Sequence, residues 1–108
     1  MIEIKNIIEE QAKDSYYQLL NGGFNRGYLV VYTDYVDNTA NWFFTDEVDN
    51  EEDLLSFIIS KFKKCVNTQV NYIYDMSLPF DNDRDGLVDC VNSCLVYFQF
   101  GRFTYVNE

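Results

Sequence analysis

Histidine is missing from all 108 residues, and with it go the commonest general base, the commonest zinc ligand and the imidazole half of a Ser/His or Cys/His nucleophile pair. Most familiar hydrolase chemistries are thereby excluded. Proline occurs once and glycine five times, which leaves little room for a linker, so residues 1–108 read as a single domain. Three cysteines, Cys65, Cys90 and Cys94, are an odd count with no secretion signal beside it, and are expected as reduced, buried or half-buried thiols. Apolar runs all fall well short of the roughly 18 residues that cross a bilayer. Met1-Ile2-Glu3-Ile4-Lys5 does not have the pattern of a secretory leader, so a cytoplasmic protein without membrane attachment is expected.

Positive charge is the other scarcity, with 8 Lys and Arg against 18 Asp and Glu for a net charge of -10. A chain this negative is repelled by a phosphate backbone, which argues against direct nucleic-acid binding. No Lys or Arg occurs from Gly27 through Ser60, while Asp34, Asp37, Asp46, Glu47, Asp49, Glu51, Glu52 and Asp53 all fall there. Such self-repulsion weakens folding unless the field has a use, for example in steering a basic partner.

What is present is a core. The chain is 47% hydrophobic and 18% aromatic, which separates it from a disordered acidic tail. Ile4, Ile7, Ile8, Ala12, Tyr16, Leu19 and Leu20 recur at helical spacing, and Asn21-Gly22-Gly23 supplies the positive-φ residues that end such a helix. Tyr28 to Thr33 and Ala40 to Thr45 are β-branched and aromatic runs around a polar loop from Asp34 to Thr39, which reads as a hairpin. Asp49 and Glu52 have the spacing of a capping box, followed by a stripe of Leu54, Leu55, Ile58, Phe62, Cys65 and Val66, with Lys61, Lys63 and Lys64 in the last turns. Val70, Tyr72 and Tyr74 alternate with Asn71, Ile73 and Asp75 as on a strand, and further strands are expected over 94–100 and 103–106. Two helices on one face of a four- to five-stranded, mainly antiparallel sheet would bury both stripes, so the expected class is α+β.

No phosphate cradle follows a strand, because Gly22-Gly23 ends a helix instead of opening one; no cofactor is expected. Carboxylate pairs suited to glycosidase chemistry arise by accident among 18 acids, and no sugar cleft is evident. A binding protein is expected in preference to an enzyme.

Asp81-Asn82-Asp83-Arg84-Asp85-Gly86-Leu87-Val88-Asp89 resembles the start of an EF-hand or thrombospondin-type calcium loop. The resemblance implies oxygen ligands from Asp81, Asp83, Asp85 and Asp89, with Gly86 at the turn. The twelfth position is Asn92, which has no bidentate carboxylate, and a solvated acidic turn gives the same string. Cys90 and Cys94 have three residues between them and no second pair, so no metal site is expected there.

A hairpin loop and a helix start account for Asp49 and Glu52 on local grounds, and less well for Asp34, Asp37, Asp46, Glu47 and Asp53. The expected partner-binding set is Asp34, Tyr35, Asp37, Trp42, Asp46, Glu47, Asp49, Glu51, Glu52 and Asp53. In it Tyr35 and Trp42 are candidate anchors, while the acids set on-rate and specificity. In size, acidity, lack of histidine and aromatic content the chain resembles the small acidic immunity proteins of contact-dependent and polymorphic toxin systems. That resemblance implies a one-to-one complex in which a basic protein toxin, such as a nuclease, has its active site covered. The chain also resembles phage anti-CRISPR and DNA-mimic inhibitors, and a calcium-binding module is a further alternative.

Overall fold

The computed structural model describes residues 4–35, 37–62, 68–78 and 87–92. In chain order these form α1 (Ile4–Asn21), β1 (Tyr28–Asp34), β2 (Thr39–Thr45), α2 (Glu51–Phe62) and β3 (Thr68–Asp75), with a short helix α3 over residues 87–92. The strands make one antiparallel sheet in the order β2-β1-β3. The class is α+β, as expected. The strands anticipated over 94–100 and 103–106, and with them the count of four to five, lie outside the described residues.

The two long helices do not share a face of the sheet, which corrects the expected arrangement. Tyr28 and Val30 of the central strand are buried with Leu54, Ile58 and Phe62 of α2, whereas Leu29 and Val31 are buried with Ile8, Ala12, Tyr16 and Leu19 of α1. Side chains alternate between faces along a strand, so α1 and α2 sandwich the sheet. The cause is visible in β1: Tyr28-Leu29-Val30-Val31-Tyr32-Thr33 lacks the polar alternation of a half-solvated strand and suits one covered on both sides.

Beneath α2 an aliphatic centre is edged by aromatic rings, Tyr32 meeting Phe62 at 4.7 Å and Phe43 at 6.2 Å between centroids. Val30, Leu54, Ile58, Val70, Ile73 and Val91 are fully buried, with Phe43 and Tyr32 packed against them. Val91 comes from α3, which closes this face together with Leu87 and Val88. The core under α1 joins Tyr16, Tyr74, Met76, Trp42 and Phe44 to the aliphatic side chains of the helix. The apolar stripe of α1 is narrower than its sequence suggests: Ile7 and Leu20 are exposed, and buried Ser15 donates its hydroxyl to the Gln11 carbonyl at 2.7 Å.

Local chemistry ends and joins these elements. α1 stops in a Schellman turn, in which the Phe24 N–H donates to the Leu19 carbonyl and the Gly23 N–H to the Leu20 carbonyl, both at 3.1 Å, with Gly23 at φ 88°. Phe24 then meets Phe44 edge-on at 5.0 Å. Gly27, at φ 94°, starts β1 where a Cβ would stand 2.7 Å from the Thr45 carbonyl oxygen. The hairpin loop turns through Asn38 at φ 55°, a left-handed position that asparagine tolerates.

Two departures from simple strand geometry shape β3. Tyr32 pairs with Val70 but Val31 with Tyr72, so Asn71 is the extra residue of a bulge. That extra residue flips the phase: Val70 joins the core under α2 while Tyr72 and Tyr74 face α1, against the regular alternation expected from sequence. Asn71 is held there by the Thr33 hydroxyl, which donates to its side-chain oxygen at 2.6 Å. On the outer side of β3, Asn92 of α3 behaves like a piece of strand. Its amide nitrogen donates to the Val70 carbonyl and its oxygen accepts the Val70 N–H, both at 2.8 Å.

Candidate functional site

The acidic stretch is divided by β2. Asp34, Tyr35 and Asp37 lie at the β1–β2 loop, whereas Asp46, Glu47, Asp49, Glu51, Glu52 and Asp53 lie past the other end of the strand. β2 is seven residues long, and at the usual rise its ends are about 20 Å apart. The single surface anticipated from the run of carboxylates is therefore two surfaces of unequal charge.

At the smaller one, Asp34 is half-buried and Asp37 exposed. Tyr35 is exposed, but its hydroxyl is already engaged, donating to the side-chain oxygen of Gln69 on β3 at 2.7 Å. Trp42 belongs to neither surface. It pairs with Val31 across the strands and packs, half-buried, in the core under α1.

The larger surface surrounds the start of α2. Asn50 is the N-cap, in place of the expected Asp49: its side-chain oxygen accepts the Asp53 N–H at 2.8 Å, and its amide donates back to Asp53 Oδ2 at 3.1 Å. The Leu54 N–H closes the first helical turn on the Asn50 carbonyl at 3.0 Å. The cap thus moves one residue along, from Asp49 and Glu52 to Asn50 and Asp53, because both pairs satisfy the same spacing and Asn is as good a cap as Asp. Glu51, Glu52 and Asp53 occupy the first turn, where the helix dipole favours negative charge by about 0.3–1 kcal/mol each at low ionic strength.

Asp46, Glu47 and Asp49 have no such local reward. The connection is turned by the Glu47 N–H, which donates to the Thr45 hydroxyl at 3.2 Å, a bond that leaves the Glu47 carboxylate outward. All six carboxylates of this end are exposed. Arg26 is brought near by the fold, sharing a hollow of about 140 Å³ with Asp46, Asp49 and Asp75; chain order hides this, since Arg26 precedes β1 and the acids follow β2. Among the described residues, these six carboxylates and Asp75 against the guanidinium of Arg26 leave the end strongly negative.

Among the described residues no three Asp, Glu or Cys side chains gather as a metal site requires, so these acids make a charged surface and not a cage. Asp81, Asp83 and Asp85 of the calcium-like loop lie outside the described residues, as do Cys65 and Cys94. Asn92, at the loop's twelfth position, already commits its amide to Val70. Cys90 is exposed, contrary to the expected burial. Among the described residues no helix is long and apolar enough to cross a membrane. Comparison with protein-family models, with curated proteins and with solved structures found no match to this chain.

Proposed function

We propose that the protein is an inhibitor of the immunity type, a binding protein and not an enzyme, which acts in the cytoplasm by covering the basic active site of a cognate toxin, most naturally a nuclease, in a one-to-one complex. The observation that carries this reading is the end of the molecule formed by Asp46, Glu47, Asp49, Glu51, Glu52 and Asp53, six exposed carboxylates within eight residues. Three of them ride on a helix locked to the sheet by Leu54, Ile58 and Phe62, so the charges are presented on a rigid base. Complementary charge of this kind raises association rates and rejects acidic competitors. A nuclease supplies the matching lysines and arginines, because it must hold phosphates. The gap of about 20 Å between the two acidic groups interrupts any regular line of charges, which favours a basic protein surface over mimicry of a continuous DNA backbone.

Co-expression tests the reading. The reading places a toxin gene directly before this one; produced with that toxin, the wild-type chain should protect the cell, and Asp46→Lys, Asp49→Lys, Glu51→Lys and Glu52→Lys together should abolish protection. Asp37→Lys, at the other acidic group, should leave it intact. Full protection by the fourfold variant, with its circular dichroism unchanged, would overturn the proposal.

A further inference from the structure

α1 lies over β2 and β1 more than over β3, and its flank and β3 leave between them an open groove of about 520 Å³. Glu9, Glu10, Lys13 and Asp14 line it from the helix and Tyr72 and Tyr74 from the strand. This groove is on the α1 side of the sheet, whereas the carboxylates of α2 belong to the other side. It is thus separate from the surface of the proposed inhibitor function.

Three of its properties define an occupant. The two tyrosines are stacked, with ring centroids 5.9 Å apart and planes within 6°. Tyr16 braces Tyr74 edge-on at 5.9 Å, and the Tyr16 hydroxyl donates to the Leu78 carbonyl at 3.4 Å. The strand therefore offers a fixed aromatic surface at the groove. The helix wall carries three carboxylates against one ammonium, so an anion is disfavoured and a cation attracted. The volume is that of a site for a chain segment or drug-sized group, well beyond a single ion.

We propose that the groove docks an extended, arginine-bearing segment of a protein partner, with a guanidinium lying against Tyr72 beside Glu9. A guanidinium is planar and weakly hydrated, so it stacks on an aromatic ring while its edge N–H groups reach a carboxylate; an ammonium does only the second well. Burial and the neighbouring Glu9 charge both raise the Tyr72 phenol above its ordinary pKa. The ring accordingly stays neutral at physiological pH and keeps an O–H to donate.

The test is amide and side-chain NMR of the full chain titrated with the capped peptide Gly-Arg-Ser-Arg-Gly and with its citrulline counterpart, which keeps the shape and loses the charge. The arginine peptide should shift signals of Glu9, Lys13, Tyr72 and Tyr74, and the citrulline peptide should bind at least about fivefold more weakly. Glu9→Gln, a surface change that spares the fold, should weaken the arginine peptide by about fivefold, as should Tyr72→Leu. Glu51→Gln with Glu52→Gln should leave it unchanged. Equal binding of the two peptides, or shifts confined to residues 46–53, would overturn the assignment. So would groove signals that move with protein concentration alone, since these would give the groove to a second copy of the chain.

Discussion

The two faces of the sheet bury comparable elements in different ways. Under α2, six aliphatic side chains from α2, α3 and two strands reach zero exposure. Under α1, the contact is made by Ala12, Tyr16 and a narrow aliphatic row, and the β3 side stays open as a groove lined with tyrosines and carboxylates. The two faces thus divide the labour. One face supplies cohesion, while the other gives up part of its burial and keeps polar atoms accessible.

The largest test of this contrast is a pair of truncations. Ile58→Ala empties a site enclosed on all sides and should cost about 3–5 kcal/mol, near the top of the range for such deletions, because nothing around it can collapse into the void. Ile8→Ala, on the looser face, should cost about 2 kcal/mol, since water and neighbouring chains can relax toward it. Denaturant unfolding of both variants measures the difference. Equal losses would break the distinction between the faces.

Backbone geometry gives the next effect. Gly27 and Gly23 share a positive φ, but a Cβ at Gly27 would meet Thr45 O at 2.7 Å and Phe44 Cζ at 2.8 Å, while at Gly23 it would meet nothing within 4 Å. Gly23→Ala should therefore cost only the left-handed strain of about 1–2 kcal/mol. Gly27→Ala should cost clearly more than that, because the β1–β2 edge beneath α1 must also shift. If thermal midpoints fall equally, the close approach at Gly27 is absorbed by a shift of the Thr45 peptide together with the Phe44 ring.

Asn92→Ala probes how α3 seals the α2 face. It removes both bonds to Val70 and leaves that N–H and carbonyl to find water, at a cost of about 1–3 kcal/mol. Hydrogen exchange at the Val70 amide should accelerate selectively. An unchanged rate would mean that the clamp does not protect β3.

Elements set by neighbours in the chain were legible in the sequence. The end of α1 at Gly22-Gly23, the hairpin around Asn38 and the stripe of Leu54, Ile58 and Phe62 all depend on residues a few positions apart. What was hidden depends on partners far away. The bulge at Asn71 reverses the facing of Val70 without any glycine or proline to announce it, because its stabilising partner is Thr33 on another strand. The opposite placement of the helices was encoded in the unbroken apolar run of β1, which is equally the signature of a good strand in any position. The acidic stretch divides for a simpler reason: continuity of charge along the sequence is not continuity in space, because a seven-residue strand in its middle carries the two ends apart. Of the candidate site, the carboxylates around the start of α2 stay together, Trp42 turns inward and Arg26 joins from a distance.

The smallest effect is the alkaline response of the groove. Burial raises Tyr74 from the ordinary tyrosine value of 10.0 to about 12, with the neighbouring Tyr72 adding to the rise, while Glu9, Glu10, Lys13 and Asp14 form the facing wall. Below pH 10 the folded and unfolded chains both keep the phenol proton, and the group adds no pH dependence. Between about pH 10 and 12 the unfolded chain releases the proton first, so stability falls as pH rises, and the loss is complete once the folded group also ionises. Tyr74→Phe is the necessary control, because it removes the phenol and keeps the ring. Unfolding midpoints measured across this range should fall less steeply for Tyr74→Phe than for the wild type. Identical slopes would mean that the Tyr74 hydroxyl is hydrated in the groove, and the face under α1 would then be more open than its packing implies.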